Sequence, residues 1–124
     1  MRLLLDSQAV FLWMTGGPLP RVAQQAIGDE RNHLAVSAAT FWELGIKRAK
    51  GKLPLTEEHL AALLDTDLEP LAISPAHALA AGALPPLHAD PFDRMLVAQA
   101  QVEGMTLVGS DAVFAAYGAD VLWD

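Results

Sequence analysis

The sequence predicts an α/β protein, folded as a three-layer α/β/α sandwich around a central, mostly parallel sheet. Short apolar runs of strand length alternate with longer segments of helical periodicity along the whole chain. Caps, glycines and prolines mark the boundaries between these segments. The 124 residues contain no repeat, low-complexity tract or linker-like stretch. We therefore expect one domain over residues 1–124, with helices on both faces of the sheet.

The first half of the chain predicts two strands and three helices. Ser37 directly follows a short apolar run and Ser7 follows another after Asp6, and serine is a typical helix N-cap. Gly28 and Gly51 stand where the helical patterns end, as helix-terminating glycines do. We expect strands at residues 2–5 and 34–36, and helices at 8–14, at 20–28 and from 37 to about 50.

The second half predicts three more strands and four more helices. Thr56 begins a segment like a capping box, which leads into leucines at helical spacing: Leu60, Leu63, Leu64 and Leu68. Pro75 and Pro91 stand at typical first positions of helices. We expect strands at 71–73, 106–108 and 121–123, a helix from 75 that ends before 84, a helix at 91–103, and a short helix at 112–117.

Composition excludes several classes of protein. The chain has no cysteine, which excludes disulfides, thiol nucleophiles and cysteine-ligated zinc. No apolar run approaches the ~18 residues that span a bilayer, and Asp6 interrupts the short N-terminal run. We therefore expect no membrane segment, no signal peptide and a cytoplasmic location. The tryptophans, at positions 13, 42 and 123, are expected in the core rather than stacked on nucleic-acid bases.

Basic residues are concentrated in one short window. The net charge of −7 argues against a general nucleic-acid coat protein. Half of all the lysines and arginines nevertheless fall between positions 47 and 52: Lys47, Arg48, Lys50 and Lys52. This basic strip either holds a phosphate backbone or is a solvated helix end whose cations complement the helix dipole.

Four acidic residues interrupt segments that otherwise look like core: Asp6, Glu43, Asp93 and Asp111. Carboxylates in such positions are costly unless they are paired, protonated or bound to a cation. Element order places all four near the carboxyl ends of parallel strands, the edge where α/β sheets bind ligands. A cluster of oxygen ligands suits Mg²⁺ or Mn²⁺. The pattern therefore indicates metal-assisted hydrolysis of a phosphodiester.

Each of these acids also has a simpler interpretation. Asp6 and Asp111 could cap the helices that follow them. Glu43 could form a helical ion pair with Lys47, four residues later. Asp93 is the exception, because it shares a helical face with Leu96, Val97 and Ala100, where a solvated acid is not expected.

Three further polar residues lie near Asp93. Asp90 precedes Pro91 and is expected to cap its helix, although it could also share a cation with Asp93. Arg94 could neutralise Asp90 or contact phosphate. His88, in the preceding loop, is a weaker candidate for a general acid.

Four segments in chain order resemble the motifs of one family: residues 3–13, 37–47, 84–100 and 107–118. They resemble the PIN-domain family, and specifically the VapC-type toxins of bacterial toxin–antitoxin pairs. The segment LPPLHADPFDRMLVAQA at 84–100 is the most specific match. Together the four segments extend the resemblance over nearly the whole chain.

The resemblance implies a PIN-like fold and a Mg²⁺- or Mn²⁺-dependent endoribonuclease. The acidic quartet of the family falls on Asp6, Glu43, Asp93 and Asp111. The resemblance also implies a cognate antitoxin whose C-terminal segment occupies the active-site groove. It further implies homodimers within a larger toxin–antitoxin complex. The basic strip and Arg94 are then candidate contacts to the RNA substrate.

The chain departs from the family pattern at three positions. Ser7 replaces a more usual Thr, Gln8 stands where the subgroup often has His, and Gly109 stands where Thr or Ser is common. The last change is expected to loosen the metal site unless Ser110 substitutes. Gly109 therefore leaves open a second hypothesis, a non-catalytic PIN-like protein that binds RNA or a partner. A phospho-receiver domain is disfavoured, because the first strand is followed by a single acid.

Overall fold

The computed structural model describes residues 1–110 and 112–124. The elements in these ranges are β1 Arg2–Leu5, α1 Ser7–Thr15, α2 Arg21–Gly28, β2 His33–Ser37, α3 Ala38–Ala49, α4 Glu57–Leu64, β3 Glu69–Leu71, α5 Pro75–Ala83, α6 Pro91–Glu103, β4 Thr106–Val108, α7 Ala112–Ala116 and β5 Val121–Leu122. None of the helices described is both long and apolar enough to cross a lipid bilayer.

The five strands form one sheet in the order β3-β2-β1-β4-β5, and every neighbouring pair is parallel. The first strand of the chain is therefore the central one. Leu4 of β1 lies between Ala35 of β2 and Leu107 of β4. All three leucines of β1 are fully buried, as expected for a parallel strand covered on both faces.

Two hydrophobic cores lie on opposite faces of the sheet. Successive side chains of a strand point to opposite faces, so Leu3 and Leu5 pack with α1 to α4, and Leu4 packs with α6 and α7. Each face is thus covered by its own layer of helices. This arrangement confirms the predicted three-layer α/β/α sandwich.

Of the two residues considered as the cap of α1, Asp6 and Ser7, Asp6 is the cap, because its carboxylate accepts from the N–H of Ala9 in the first turn. Two other predicted local features are wrong. Leu68 is buried but lies beyond α4, which ends at Leu64. The third strand is shifted to Glu69–Leu71. Its Pro70 is tolerated because β3 is an edge strand, where a missing N–H costs no central ladder bond.

Candidate active site

The carboxyl edge of the sheet gathers the ends of several elements. β1 ends at Leu5, directly before Asp6, and β2 ends where α3 begins. α6 leads into β4, so its N-terminal turn, which contains Asp93, returns to the same edge. Ligands of open α/β sheets bind at this edge.

Hydrogen bonds from its backbone and its side chain hold Asp6 in place at the centre of this edge. Its backbone N–H donates to the carbonyl of Val108 on the neighbouring strand, at 3.0 Å. Its Oδ1 accepts from the N–H of Ala9 at 2.8 Å, which caps α1. The residue is 6% exposed. The carboxylate is therefore buried, and its orientation is set by the first turn of a helix and by the end of β4.

The Asp6 carboxylate lies directly against Gly109, the residue after β4. A Cβ atom built on Gly109 would lie 2.2 Å from Oδ2 and 2.6 Å from Cγ of Asp6. The same atom would lie 3.0 Å from Cε2 of Phe114, which is fully buried. The carboxylate thus occupies space that any other side chain at position 109 would need.

Glu43 supplies a second buried carboxylate from α3. It is 7% exposed, and Lys47 lies one turn later with Nζ 3.2 Å from Oε2. The helical ion pair that the spacing predicted therefore forms. One turn before Glu43, the buried Oγ1 of Thr40 has no hydrogen-bond partner among the residues described. The same face of α3 thus carries a buried carboxylate and an unsatisfied hydroxyl.

Asp93 lies in the first turn of α6 and contacts His88. His88 Nε2 is 2.9 Å from Asp93 Oδ2. Asp90 caps the helix, as predicted: its Oδ1 accepts from the N–H of Phe92 at 2.8 Å and, more weakly, from that of Asp93 at 3.4 Å. Potential ligand atoms of His88, Asp90 and Asp93 all lie within 4.8 Å of one another. Among the residues described, this is the one such trio of histidine and acidic side chains, and it does not include Asp6 or Glu43.

An aromatic pair joins α3 to α6 beside these acids. The rings of Trp42 and Phe92 meet edge to face, with centroids 5.2 Å apart and planes 77° apart. Each ring residue directly precedes an acid, Glu43 or Asp93. Trp42 is 65% exposed, so its predicted core position is wrong. Helical spacing could have shown this, because the buried positions of α3 are 39, 40, 43 and 44.

Comparison with known protein families shows to which family the chain belongs. The model of the PIN domain matches residues 3–120. The chain belongs to the PIN domain family. The family predicted from the four sequence motifs is thereby confirmed.

Solved structures share this PIN fold at low sequence identity. VapBC2 from Rickettsia felis, solved bound to a DNA fragment from its promoter, aligns with a TM-score of 0.77 and 18% identity, over 100% of both chains. VapBC-1 from nontypeable Haemophilus influenzae aligns with a TM-score of 0.71 and 18% identity, over 98% of this chain and 97% of that one. A toxin–antitoxin complex from Klebsiella pneumoniae aligns with a TM-score of 0.68 and 21% identity, over 97% and 95%. A search of curated proteins finds no match.

Three of the four predicted acids of this PIN domain therefore lie on elements that meet at one sheet edge: Asp6, Glu43 and Asp93. The fourth, Asp111, is outside the described residues. A shared metal site for the quartet stays a prediction.

The guanidinium of Arg94 forms hydrogen bonds within the PIN domain. Its Nη1 donates to the carbonyls of Pro85 and His88, at 3.0 and 3.3 Å, and to Tyr117 Oη at 3.1 Å. Its Nη2 donates to the carbonyls of Ala81 and Leu84, at 2.9 and 3.1 Å. This planar fork ties the end of α5 to the loop that carries His88. Sequence reasoning missed these contacts, which engage both terminal nitrogens of Arg94 within the domain and argue against a role in RNA binding.

The basic strip lies at the end of α3. Lys47 pairs with Glu43, and Arg48 lies 3.6 Å from Glu57. Lys50 and Lys52 are exposed beyond the helix. These last two are the members of the strip best placed to meet an external anion.

One departure from the family pattern, Gln8, contacts Ser110. The hydroxyl of Ser110 donates to Oε1 of Gln8, which links the turn after β4 to the first turn of α1. Ser110 is exposed. Its hydroxyl therefore joins two surface segments at the rim of the site.

Proposed function

We propose that this PIN domain is a metal-dependent endoribonuclease that acts in the cytoplasm as the toxin of a toxin–antitoxin pair. The observation that carries the proposal is the pair of buried carboxylates, Asp6 and Glu43, at the sheet edge that also receives Asp93. Buried acids at a ligand-binding edge cost stability unless they are paired or bound to a cation, and such positions are enriched in functional groups. A cation at this edge would offset that cost.

The side chains at the edge fit a hard divalent ion. Carboxylate oxygens are the ligands that Mg²⁺ and Mn²⁺ prefer. The unsatisfied Oγ1 of Thr40 is one more oxygen on the face of Glu43, able to bind a water of such an ion. We propose Asp6, Glu43, Asp93 and Asp111 as the residues that hold Mg²⁺ or Mn²⁺. When bound, the ion supplies an acidified water nucleophile and offsets charge on the phosphate oxygens.

The protein's own residues then orient the site. The N-cap bond from Ala9 and the backbone bond to Val108 fix the Asp6 carboxylate before any ligand arrives. Lys47 fixes Glu43, and His88 fixes Asp93. Such preorganisation avoids a reorganisation cost when substrate binds. Exposed Lys50 and Lys52 would bind the RNA backbone through its phosphates.

The proposed partners are a cognate antitoxin and a second copy of the chain. The similar solved structures include complexes described as toxin–antitoxin or VapBC, which supports an antitoxin partner. We propose that its C-terminal segment covers the active-site groove, as the family resemblance implies. We propose that homodimers of this chain assemble with it into a larger complex. Exposed Trp42, beside Glu43, would offer such a covering segment an aromatic contact.

The experiment that tests the activity is cleavage of total cellular RNA by the purified chain, freed of any co-purifying partner. Reactions with Mg²⁺, Mn²⁺ or EDTA are compared, with Asp93→Asn as the site variant. Asp67→Asn, which changes an exposed acid of the α4–β3 loop, is the matched control. We expect metal-dependent cutting that Asp93→Asn lowers at least 100-fold, by analogy with loss of one key electrostatic group. The control should keep full activity.

A lack of cleavage has a defined meaning. If the folded chain binds Mn²⁺ but cuts no RNA, the nuclease proposal fails and the non-catalytic binder replaces it. Equal cleavage by wild type and Asp93→Asn would point to a contaminating nuclease and would also refute the assignment.

The RNA contact has a separate test. Changing both Lys50 and Lys52 to Glu should weaken RNA binding and reduce the slope of log affinity against log salt by about two. The measurement is fluorescence anisotropy over a salt series, with a metal-free buffer to prevent cleavage. An unchanged slope would remove both lysines from the proposed interface.

A further inference from the structure

Gly109 is a glycine that the backbone conformation does not require. The glycines with positive φ among the described residues are Gly16, Gly51, Gly104 and Gly118, so Gly109 adopts a conformation open to other residues. A larger side chain is instead excluded by space, since its Cβ would lie 2.2 Å from Asp6 Oδ2. Contacts shorter than 3.0 Å to a Cβ essentially never occur, so one of the two groups would have to move.

We infer that Gly109 positions the Asp6 carboxylate, a proposed metal ligand. Because Gly109 has no side chain, it leaves a space beside its Cα that the carboxylate fills, and we call this space the seat. The inference deepens the proposed function and rests on it for the role of Asp6. It reverses the expectation drawn from sequence, in which the loss of a Thr or Ser at this position loosens the site. In this chain the carboxylate itself fills the space that a hydroxyl side chain would take.

Hydrogen bonds hold both Asp6 and Gly109 in place, so a clash between a Cβ at position 109 and the carboxylate cannot be relieved without breaking one of them. Asp6 cannot simply swing aside, because Ala9 holds its Oδ1 and Val108 holds its backbone N–H. Gly109 cannot simply back away, because its own N–H donates to the carbonyl of Leu122 at 3.3 Å. Phe114, fully buried, closes the remaining side at 3.0 Å. A side chain at position 109 would therefore break either the hydrogen bond that caps α1 or the one between Gly109 and Leu122.

A double-mutant cycle separates this seat from an ordinary packing defect. Gly109→Ala is made in the wild-type chain and in Asp6→Ala, and the unfolding equilibrium constant is measured in urea. If the carboxylate is the obstacle, its removal relieves the clash. We expect Gly109→Ala to shift the constant at least tenfold more in the wild-type chain than in the Asp6→Ala background. A purely structural defect against Phe114 would shift it equally in both, which would overturn the inference.

A control variant, and a rule for variants that do not fold, complete the test. Gly82→Ala in α5 is the matched control, because a Cβ there meets no atom within 4 Å. It should behave as wild type or slightly better, since alanine favours helix. If Gly109→Ala does not fold at all, recovery of a cooperative transition in the double variant supports the seat. Failure of both to fold, while Asp6→Ala folds, refutes it.

Binding of Mn²⁺ alone gives a readout that stability does not control. Calorimetric titration should show affinity at least tenfold weaker in Gly109→Ala than in wild type and Gly82→Ala, at a temperature where all three are folded. Unchanged affinity in Gly109→Ala would overturn the positioning role. If wild type itself binds no Mn²⁺, the proposed function fails, and the cycle with Asp6→Ala still decides whether Gly109 seats the carboxylate.

Discussion

Removing the Arg94 guanidinium should destabilise the fold and disorder the loop that carries His88. Arg94→Met keeps most of the aliphatic stem but deletes every donor of the fork. Five hydrogen bonds are lost: four to backbone carbonyls of residues 81–88 and one to Tyr117 Oη. The carbonyls of Leu84 and His88 then depend on water, whereas that of Pro85 still accepts from Tyr117 Oη and the Leu87 N–H, and that of Ala81 accepts weakly from the Leu84 N–H.

The magnitude follows from the exposure of these groups. The side chain is half-buried, so water replaces part of each lost bond and each is worth about 0.5 kcal/mol, the low end of the usual range. The sum is about 2.5 kcal/mol, or a melting temperature lower by about 10 °C. Arg94→Lys should recover little, because one ammonium cannot reproduce the planar fork. Tyr117→Phe removes only the shared hydroxyl and should cost about 1 kcal/mol.

The assay is urea unfolding of Arg94→Met, followed by circular dichroism, beside salt-dependent RNA binding. Arg21→Met, on the exposed start of α2, is the matched control and should change stability by less than about 0.5 kcal/mol. We expect Arg94→Met to lower stability while the salt slope of RNA binding stays as in wild type. The opposite result, unchanged stability with a reduced salt slope, would refute this structural role and make Arg94 an RNA contact.

Three further predictions concern the core, the acid response and the aromatic pair. Leu4→Ala in the central strand should cost about 3–4 kcal/mol in urea unfolding, because the residue is fully buried between two strands. A side-chain hydrogen bond from Arg31, helped by a backbone one, lowers the pKa of Asp29 from 3.8 to about 2. A depressed carboxyl pKa stabilises the fold above the ordinary pKa, and this contribution is lost as the pH falls toward 2. Arg31→Gln should therefore return the pKa of Asp29 toward 3.8 in an NMR titration, and an unmoved value would refute the pairing. Trp42→Ala and Phe92→Ala should show a coupling of about 0.5–1.5 kcal/mol in a double-mutant cycle, while additive costs would mean that the ring contact carries no energy.

Sequence reasoning succeeded where short-range signals decide the structure. α6 runs from Pro91 to Glu103 as predicted, because Asp90, Pro91 and Gly104 act on their own neighbours. It failed at β3, which begins at Glu69 and contains Pro70. Neither residue favours a strand, and this edge strand forms only because β2 offers it a partner. Such pairing is a tertiary effect that no local pattern contains.

The candidate site was predictable in outline and not in detail. Parallel strand order alone indicated that Asp6, Glu43 and Asp93 approach the same edge. The contact of Asp6 with Gly109 was not predictable, because it joins residues from the two ends of the chain across neighbouring strands. The chain's departures from the family pattern drew attention to Gly109 and led to the expectation of a looser site, whereas the inference from its packing is that it positions the carboxylate. Only the packing around the carboxylate shows what the missing side chain makes room for.

The central position of β1 has a consequence for how the protein is made. β1 is synthesised before β2 and β3, yet its partner β4 is synthesised after both of them. A growing chain that has passed residue 93 already carries three of the predicted acids but lacks the strand that seats Asp6. Contacts so distant in sequence form late in folding. For the toxin proposed above, the carboxylates would become a working site only after β4 has been synthesised and paired with β1.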